Sequence, residues 1–214
     1  METPPEEFAP PGYETRLKVP ESHWEGLAAL DPSEVCRRAK VSFEDGYSLP
    51  FLNRRIIVDV ERRSMMDLSS GKDLDDPLLL LIALVYLRFA VEIEPENVLT
   101  AARELKEWHF FTGIHDLDVG EVLKKFGDDP AGFATASRAV GGEPVPHADA
   151  AFKLLALPRI PLYYLLWAGD EDFPPNITVC FDRTIERHFA ADAIWGLVKR
   201  VSYALVHEAV PEHD

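Results

Sequence analysis

Three consecutive carboxylates form the densest group of chemically active side chains in the sequence. Asp170, Glu171 and Asp172 lie in the stretch WAGDEDFPP, within a loop at 168–176 that we call the acidic loop. Carboxylate oxygens are suitable ligands for Ca²⁺ or Mg²⁺, although the spacing is not that of an EF-hand. The same side chains also favour solvated turns and bond to nearby backbone groups. We expect a hydrated turn, with recognition of a basic partner and metal binding as the alternatives.

A fourth carboxylate, that of Asp182, closes the apolar segment after the acidic loop. The loop is flanked by apolar segments at 160–167 and 177–182, the second of which alternates as strands do. If they pair as an antiparallel hairpin, the acidic loop is its tip and Asp182 lies about 16–20 Å away, from the usual rise per residue. Asp182 then lies beside the turn that contains Arg159. We therefore predict a structural Arg159–Asp182 ion pair instead of one shared acidic site.

Histidines near a carboxylate raise the question of a transition-metal site. His109, His115 and Asp116 are residue types that hold zinc or non-haem iron, but no close pair such as HxxxH is present. Their aromatic neighbours favour a half-buried packing role, and we adopt that interpretation. His188 precedes the last predicted helix and is expected to cap it or to bond a carbonyl. The sequence identifies no partner that would make His188 a general base.

The two cysteines, Cys36 and Cys180, lie far apart and form no CxxC motif. A disulfide framework is not indicated, and reduced thiols fit a cytoplasmic location. Two thiolates also cannot hold a four-cysteine iron–sulfur cluster within one chain. Arg37 and Arg38 adjoin Cys36 and would lower its pKa, but we expect both cysteines to be structural, with Cys180 buried in a strand.

The familiar catalytic motifs are missing from the sequence. It contains no GxSxG, P-loop, GxGxxG or HExxH pattern, and it indicates no cofactor and no dedicated metal site. Several aromatic side chains of the C-terminal third have the size to line a pocket for a flat ligand. They are Tyr163, Tyr164, Trp167, Phe173 and Trp195. Aromatic residues at strand ends more often fill a core, so we predict core packing for them.

The charge of the chain limits its partners. Acidic residues outnumber basic ones by 37 to 22, which gives a formal net charge of −15 over 214 residues. Such a surface repels nucleic-acid phosphates and anionic membranes, and it attracts a basic partner. The longest apolar stretch, at 78–91, spans about 21 Å as a helix, short of the ~30 Å of a bilayer core. We predict no nucleic-acid binding and no membrane insertion; the oligomeric state stays open.

The N-terminal part of the sequence predicts short elements. Residues 1–21 are rich in proline and are expected to form a flexible arm. Asp31 and Pro32 are typical of a helix start, and a short helix follows them. Asp45 and Gly46 predict a type I′ hairpin turn, because both central residues of that turn need positive φ. The alternating stretch RRIIVDVER predicts a third strand.

The rest of the chain predicts a helix across the domain centre, followed by smaller elements. Asp76 and Pro77 begin an apolar helix that runs to about Val91. Further predicted elements are helices at 118–126, 130–140 and 190–206 and strands at 152–157, 160–167 and 177–182. The expected fold class is α+β: an antiparallel sheet with a central apolar helix and a C-terminal helix packed on it. One domain is predicted at 22–208, with a tail at 209–214.

Several motifs together are similar to those of a known family. They are ALPRIPLYYLLWAGDEDFPP, CFD, REL at 103–105, FGDDPAGF at 126–133 and LLLLIALVYL. As a set, they resemble the prokaryotic domain of unknown function 3786 family over roughly residues 22–206. The resemblance implies a setting in anaerobic bacteria or archaea. Some members carry an extra cysteine-rich segment linked to iron–sulfur binding, and this chain lacks that segment.

The resemblance directs attention to a set of motif residues but implies no agreed activity. The set is Arg103, Glu104, Pro158, Arg159, Trp167, Asp170, Glu171, Asp172, Phe173 and Asp182. The leading hypothesis is a non-catalytic accessory protein that binds a protein partner or a small ligand in anaerobic prokaryotic metabolism. One alternative is a carboxylate- or metal-dependent enzyme, which requires charged groups converging in a deep pocket. The other is a structural subunit of a complex, which requires a large exposed apolar patch.

Overall fold

The chain folds as an α+β structure with two antiparallel sheets. A computed structural model describes residues 17–117 and 119–209, apart from the side chain of Ile114. Most of the predicted arm at 1–21 and of the tail at 209–214 lies outside the described residues. The helices are α1 (Glu21–Ala28), α2 (Pro32–Ala39), α3 (Pro77–Phe89), α4 (Gly120–Phe126), α5 (Pro130–Ala139) and α6 (Ala191–Tyr203). The strands are β1 (Ser42–Phe43), β2 (Tyr47–Phe51), β3 (Arg54–Asp59), β4 (Ser64–Asp67), β5 (Leu99–Ala101), β6 (Glu143–Pro144), β7 (Ala150–Leu157), β8 (Ile160–Trp167) and β9 (Asn176–Asp182).

The first sheet is a meander with the order β1-β2-β3-β4. Phe43 pairs with Tyr47 across the first turn, so the predicted hairpin is confirmed. The prediction of a type I′ turn is wrong, because neither Asp45 nor Gly46 has positive φ. Three residues lie between the paired positions, whereas a type I′ hairpin turn has a loop of two residues. The short segment SMMD of β4 carries no clear alternation, and the sequence did not predict it.

The second sheet has the order β5-β9-β8-β7-β6. The predicted hairpin of β8 and β9 is present, and its register pairs Leu162 with Phe181 and Trp167 with Asn176. Pro161 lies opposite Leu155, next to an irregularity in the β7–β8 register. Proline lacks the N–H that a regular ladder needs, and this position near a strand end and a bulge agrees with expectation.

Helix α3 begins as the sequence predicts. The Asp76 carboxylate accepts a hydrogen bond of 2.9 Å from the Leu79 N–H, and Pro77 occupies the first turn. The helix ends at Phe89, because Ala90 adopts an extended conformation. It packs against α1, α2 and α6, so it lies within the molecule as its apolar composition requires.

Helix α6 lies on the second sheet. The Tyr164 hydroxyl of β8 donates a hydrogen bond of 3.1 Å to the Val198 carbonyl of α6. The inward side chains of the sheet join those of α3 and α6 in one hydrophobic core. A wider helical turn, Ala204–Glu208, continues α6. The predicted packing of a C-terminal helix on the sheet is therefore confirmed.

Within the described residues, none of the helices has the length and apolarity needed to cross a membrane.

Candidate functional site

The acidic loop is an ordered turn at the tip of the β8–β9 hairpin. One carboxylate oxygen of Asp170 accepts hydrogen bonds from the Asp172 N–H at 2.9 Å and the Phe173 N–H at 2.7 Å. The Asp170 N–H in turn donates to the Phe173 carbonyl at 2.9 Å. Asp170, Glu171 and Asp172 are all exposed. Asp170 therefore holds the loop together through backbone groups, as aspartate commonly does in turns.

Two aromatic side chains project from this tip. Trp167 is 39% exposed and Phe173 is 71% exposed, so the predicted core packing is wrong for both. Their positions explain the difference, because Trp167 is the last residue of β8 and Phe173 follows the turn. Tyr163 and Tyr164, within β8, are buried as predicted.

Arg159 is buried at the other end of the hairpin and does not pair with Asp182. Its guanidinium donates to the carbonyls of Arg38 at 2.7 Å and Arg37 at 3.2 Å and to the Glu94 carboxylate at 2.6 Å. The first two carbonyls belong to the last turn of α2, which leaves such groups without intrahelical partners. The predicted ion pair is therefore wrong, because the partners come from segments remote in sequence from β9.

Asp182 is 1% exposed and accepts four hydrogen bonds. Two come from the N–H groups of Glu96 at 3.1 Å and Asn97 at 2.6 Å. The other two come from the N–H of Thr184 at 3.0 Å and its hydroxyl at 2.7 Å. Burial alone would raise the pKa of Asp182, but these hydrogen bonds outweigh burial and lower the pKa. Asp182 therefore anchors two loops as a carboxylate.

Arg103 and Glu104 lie on an exposed turn after β5. The Glu104 carboxylate accepts a hydrogen bond of 2.7 Å from the Ala101 N–H and so caps its own turn. Ala101 pairs with Cys180 in the sheet, so the two charged residues lie beside that cysteine. The structure thus brings Arg103, Glu104 and Cys180 to one place and leaves the acidic loop at the far end of β9.

The two thiols are half-buried and are not activated. Burial, followed by the charge of Asp31, raises the pKa of Cys36 despite the adjacent arginines. Burial, followed by the charge of Glu104, raises the pKa of Cys180. Cys180 was predicted to pack as a buried structural cysteine in a strand; it packs beside Ala151, Tyr163 and Leu165 on the sheet but is only half-buried there.

His115 packs among aromatic rings. Its ring stacks on Phe110 with centroids 4.3 Å apart and meets Trp195 edge-on at 5.8 Å. The predicted half-buried packing role is therefore confirmed for His115. His109, by contrast, is exposed beside Trp108. Among the described residues, no three or more His, Cys, Asp or Glu side chains are grouped so that they could hold a metal ion.

A cavity with a volume of about 740 Å³ lies between α3 and α6. Residues Leu78, Leu81, Val85 and Phe89 recur at helical spacing on α3 and line one side. The α6 side contains Ala193, Trp195 and Gly196, and the polar lining residues are His23, His115, His188, Asp192 and Lys199. A Cβ atom at Gly196 would lie 3.2 Å from Leu78, so the two helices approach closely there. We call this space the α3–α6 cavity.

The sequence alone does not reveal this cavity. The α3 residues that line it read as part of a buried apolar helix, and those of α6 read as an amphipathic face. Both interpretations are correct for each helix separately. Only the three-dimensional arrangement shows that the two faces enclose a space beside their close approach at Gly196. Among the lining residues, the sequence offered His115 and His188 for a polar role and Trp195 as a pocket aromatic, but it did not place them together.

His188 is a buried histidine in the wall of the α3–α6 cavity. It is 3% exposed and follows a short turn, Ile185–Arg187, before α6. Its Nδ1 accepts a hydrogen bond of 3.3 Å from the Val91 N–H, whereas a cap of the last helix or a bond to a carbonyl was expected. Its Nε2 atom is buried and has no hydrogen-bond partner within 17–117 and 119–209. A buried donor without a partner is uncommon in proteins.

The environment of His188 keeps its ring neutral. Burial, followed by the charges of Arg159 and Arg187, lowers the pKa of His188 to about 4. A neutral imidazole carries one proton, and Nδ1 is the nitrogen that accepts a hydrogen bond. The proton therefore lies on Nε2, which makes that atom a hydrogen-bond donor.

A second, smaller cavity adjoins the first. It has a volume of about 430 Å³ and shares Phe89, His188 and Ala190 with the α3–α6 cavity. Its other lining residues include Glu107 and Glu186, so it is more polar. The three shared residues form a partition between the two spaces.

Comparison with known proteins agrees with the motif pattern. No curated protein and no solved structure matches the chain. The family model described as Domain of unknown function (DUF3786) matches residues 31–204, which is most of the chain. The chain therefore belongs to the DUF3786 family.

Proposed function

We propose that the protein is a non-catalytic accessory protein that binds a small, largely apolar organic ligand in the α3–α6 cavity. The observation that carries this proposal is a space of about 740 Å³ lined mainly by apolar side chains of two helices. Ligand pockets of proteins commonly measure about 300–1,000 Å³ and combine apolar walls with a few polar groups. Filling such a space removes apolar surface from water, which favours binding.

The aromatic wall favours a flat ligand. Phe110 and His115 stack on each other, and Trp195 meets the His115 ring edge-on. The Trp195 indole N–H donates to the Asp116 carbonyl at 3.2 Å, which fixes the indole ring. Aromatic groups prefer to pack on rings by offset stacking or edge contacts. A planar molecule would use these ring contacts best.

The positions of the motif carboxylates support binding without catalysis. Glu104, Asp170 and Asp182 each accept hydrogen bonds from backbone N–H groups, and none of them lines the α3–α6 cavity. The alternative of a carboxylate-dependent enzyme requires such groups to converge on a pocket. That alternative has no specific observation in its favour among the described residues.

A cytoplasmic and prokaryotic setting, with a role in anaerobic metabolism, is part of the same proposal. Its support is the family resemblance together with two unpaired cysteines, Cys36 and Cys180. The acidic net charge of −15 favours a basic protein as any macromolecular partner.

The test is to fill the cavity and measure the binding of an apolar probe. N-phenyl-1-naphthylamine is titrated by fluorescence into the parent protein and into the Ala193→Trp variant. Ala193 is half-buried and lines the cavity, so the added indole occupies the space. The matched control is Ala131→Trp on the exposed face of α5. We expect binding by the parent and the control, and binding at least about tenfold weaker by Ala193→Trp. Equal binding by all three proteins, or no binding by the parent, would overturn the proposal.

A further inference from the structure

We propose that His188 selects the ligand by donating a hydrogen bond from Nε2 to a carbonyl-type oxygen. The inference rests on the proposed function and names its ligand class: a flat apolar molecule that carries one carbonyl oxygen. Three observations carry it. His188 lines the α3–α6 cavity, its side chain is almost completely buried, and its Nε2 has no hydrogen-bond partner in the part of the chain that the structure describes.

The direction of the hydrogen bond follows from the other ring nitrogen. Val91 N–H donates to Nδ1 at 3.3 Å, so Nδ1 presents its lone pair and Nε2 presents its proton. The ligand atom opposite Nε2 must therefore be an acceptor. A group that can only donate, such as an ammonium, would leave two hydrogen atoms facing each other at this place. A neutral imidazole also requires no negative charge on the ligand, so a ketone, amide or quinone oxygen is sufficient.

A buried N–H without an acceptor raises the free energy of the unliganded protein. A ligand that supplies an acceptor removes this penalty, whereas a ligand of the same shape without one does not. Sites with buried polar groups reject analogues that lack the matching atom, because the protein group is then left unpaired. The chemistry of His188 thus predicts selectivity between molecules that differ in one atom.

The Nε2 atom is covered in the structure, so a ligand makes contact with it only when a neighbouring side chain moves. Phe89, like His188, lines both cavities; it ends α3 and is 51% exposed, so its side chain has room to move.

The experiment compares two probes of the same shape. 2-Acetylnaphthalene carries a carbonyl oxygen, and 2-isopropenylnaphthalene has a CH₂ group in the same place. Each displaces N-phenyl-1-naphthylamine from the parent protein, and the ratio of their dissociation constants is the readout. We expect the parent to prefer the ketone about tenfold, which corresponds to ~1.4 kcal/mol. Equal affinities in the parent would overturn the inference.

The variants assign this preference to His188. His188→Phe keeps a ring in the wall but removes the donor, and the ratio is expected to fall to about one. His115→Phe is the matched control, because it replaces another histidine that lines the same cavity. In this variant the affinities for both probes can change, but the ratio of their dissociation constants is expected to stay at the parent value. A preference for the ketone that persists in His188→Phe would contradict the assignment.

Two further outcomes separate the possible failures. If the fluorescent compound does not bind to the parent protein and neither probe binds either, the proposed function fails along with the inference. If both probes bind equally, the cavity binds ligands but His188 does not select them. Should His188→Phe fail to fold, nitrogen-15 NMR of the parent provides the test. The His188 Nε2–H signal is then expected to move with the ketone alone, and an unmoved signal would sink the inference.

Discussion

The two ends of the β8–β9 hairpin contain similar charged residues in opposite environments. At the tip, Asp170 bonds to backbone N–H groups within its own turn and stays exposed. At the other end, Asp182 and Arg159 are buried and bond to segments far away in sequence. We infer from this difference that a charged motif residue stabilises the fold more when its side chain is buried and its partners are remote in sequence.

The α3–α6 cavity differs from both ends of the hairpin. Glu104, Asp170, Asp182 and Arg159 all have hydrogen-bond partners within the protein. His188, which no motif singled out, lies in a cavity wall, and one of its ring nitrogens has no hydrogen-bond partner among the described residues. In this protein, a polar group without a hydrogen-bond partner in a concave apolar site therefore indicates a binding site better than a dense cluster of charges does.

The largest effect is expected at the buried end of the hairpin. Asp182→Ala removes the acceptor of four hydrogen bonds and leaves the N–H groups of Glu96, Asn97 and Thr184 without it. Buried groups without partners cost about 1–3 kcal/mol each, and water will reach some of them, so we expect a loss of about 3–4 kcal/mol. Urea unfolding measures the loss. A loss below about 1 kcal/mol would show that Asp182 is not an anchor.

The second effect is a dependence of stability on pH that comes from His188. The pKa of His188 is about 4 in the folded protein, against an ordinary value of 6.5. Between pH 4 and pH 6.5, the unfolded chain therefore binds a proton at His188 and the folded chain does not. The contribution to stability is complete above pH 6.5 and is lost as the pH falls toward about 4. At ~1.4 kcal/mol per pH unit, the loss reaches roughly 3 kcal/mol.

This pH dependence is measured by urea unfolding at a series of pH values. In His188→Phe, most of the slope between the two pKa values disappears, and a small part due to His23 remains, because its pKa is also lowered by burial and by Arg88. The pKa values of Asp182, Glu94 and Asp67 are lowered too. Because these groups are carboxylates, the stability that they contribute is lost only when the pH falls below their ordinary pKa values, which lie below that of histidine. An unchanged slope in the variant would show that the pKa of His188 is the same in the folded and unfolded states.

A third effect is expected at Arg159. Arg159→Met keeps much of the buried volume but removes the donors to the carbonyls of Arg37 and Arg38 and to Glu94. We expect a loss of about 2–3 kcal/mol in the free energy of unfolding. The control Arg103→Met replaces an exposed arginine and should stay within about 0.5 kcal/mol of the parent. Equal losses for the two variants would remove the contrast between buried and exposed motif residues.

The smallest effects are expected at the tip. In the double variant with Asp170→Asn and Asp172→Asn, the amide oxygen of residue 170 can still accept from both N–H groups. Stability should therefore change by less than about 1 kcal/mol. Calorimetric titration with calcium should give the same heat for the variant and the parent. Calcium binding that the parent shows and the variant lacks would make the acidic loop a metal site.

Local signals in the sequence predict much of the fold. Asp31 and Asp76 cap α2 and α3 as expected, since a cap bonds to an N–H two or three residues away. The β8–β9 hairpin follows from apolar alternation around a polar loop. The prediction of an Arg159–Asp182 ion pair is wrong because it was inferred from proximity along the hairpin alone. The segments that supply the real partners, α2 and 93–97, had no visible relation to either residue.

The candidate site was beyond the reach of the sequence for a related reason. A cavity is a property of the space between elements, and the apolar lining residues of α3 and α6 have the sequence pattern of core or interface residues. The unpaired state of His188 also depends on the packing around one nitrogen atom, which no spacing rule describes. The motif residues, by contrast, are visible in the sequence because a distinctive type recurs at a turn or a strand end.

An NMR titration with 2-acetylnaphthalene is the decisive test of a ligand site between α3 and α6, because it monitors that cavity and the acidic loop in one experiment. We expect the amide signals of α3 and α6 around Leu81 and Ala193 to shift in a saturable way, while those of the acidic loop at 168–176 stay in place. Shifts confined to the acidic loop, or no saturable shift anywhere, would contradict a ligand site between α3 and α6.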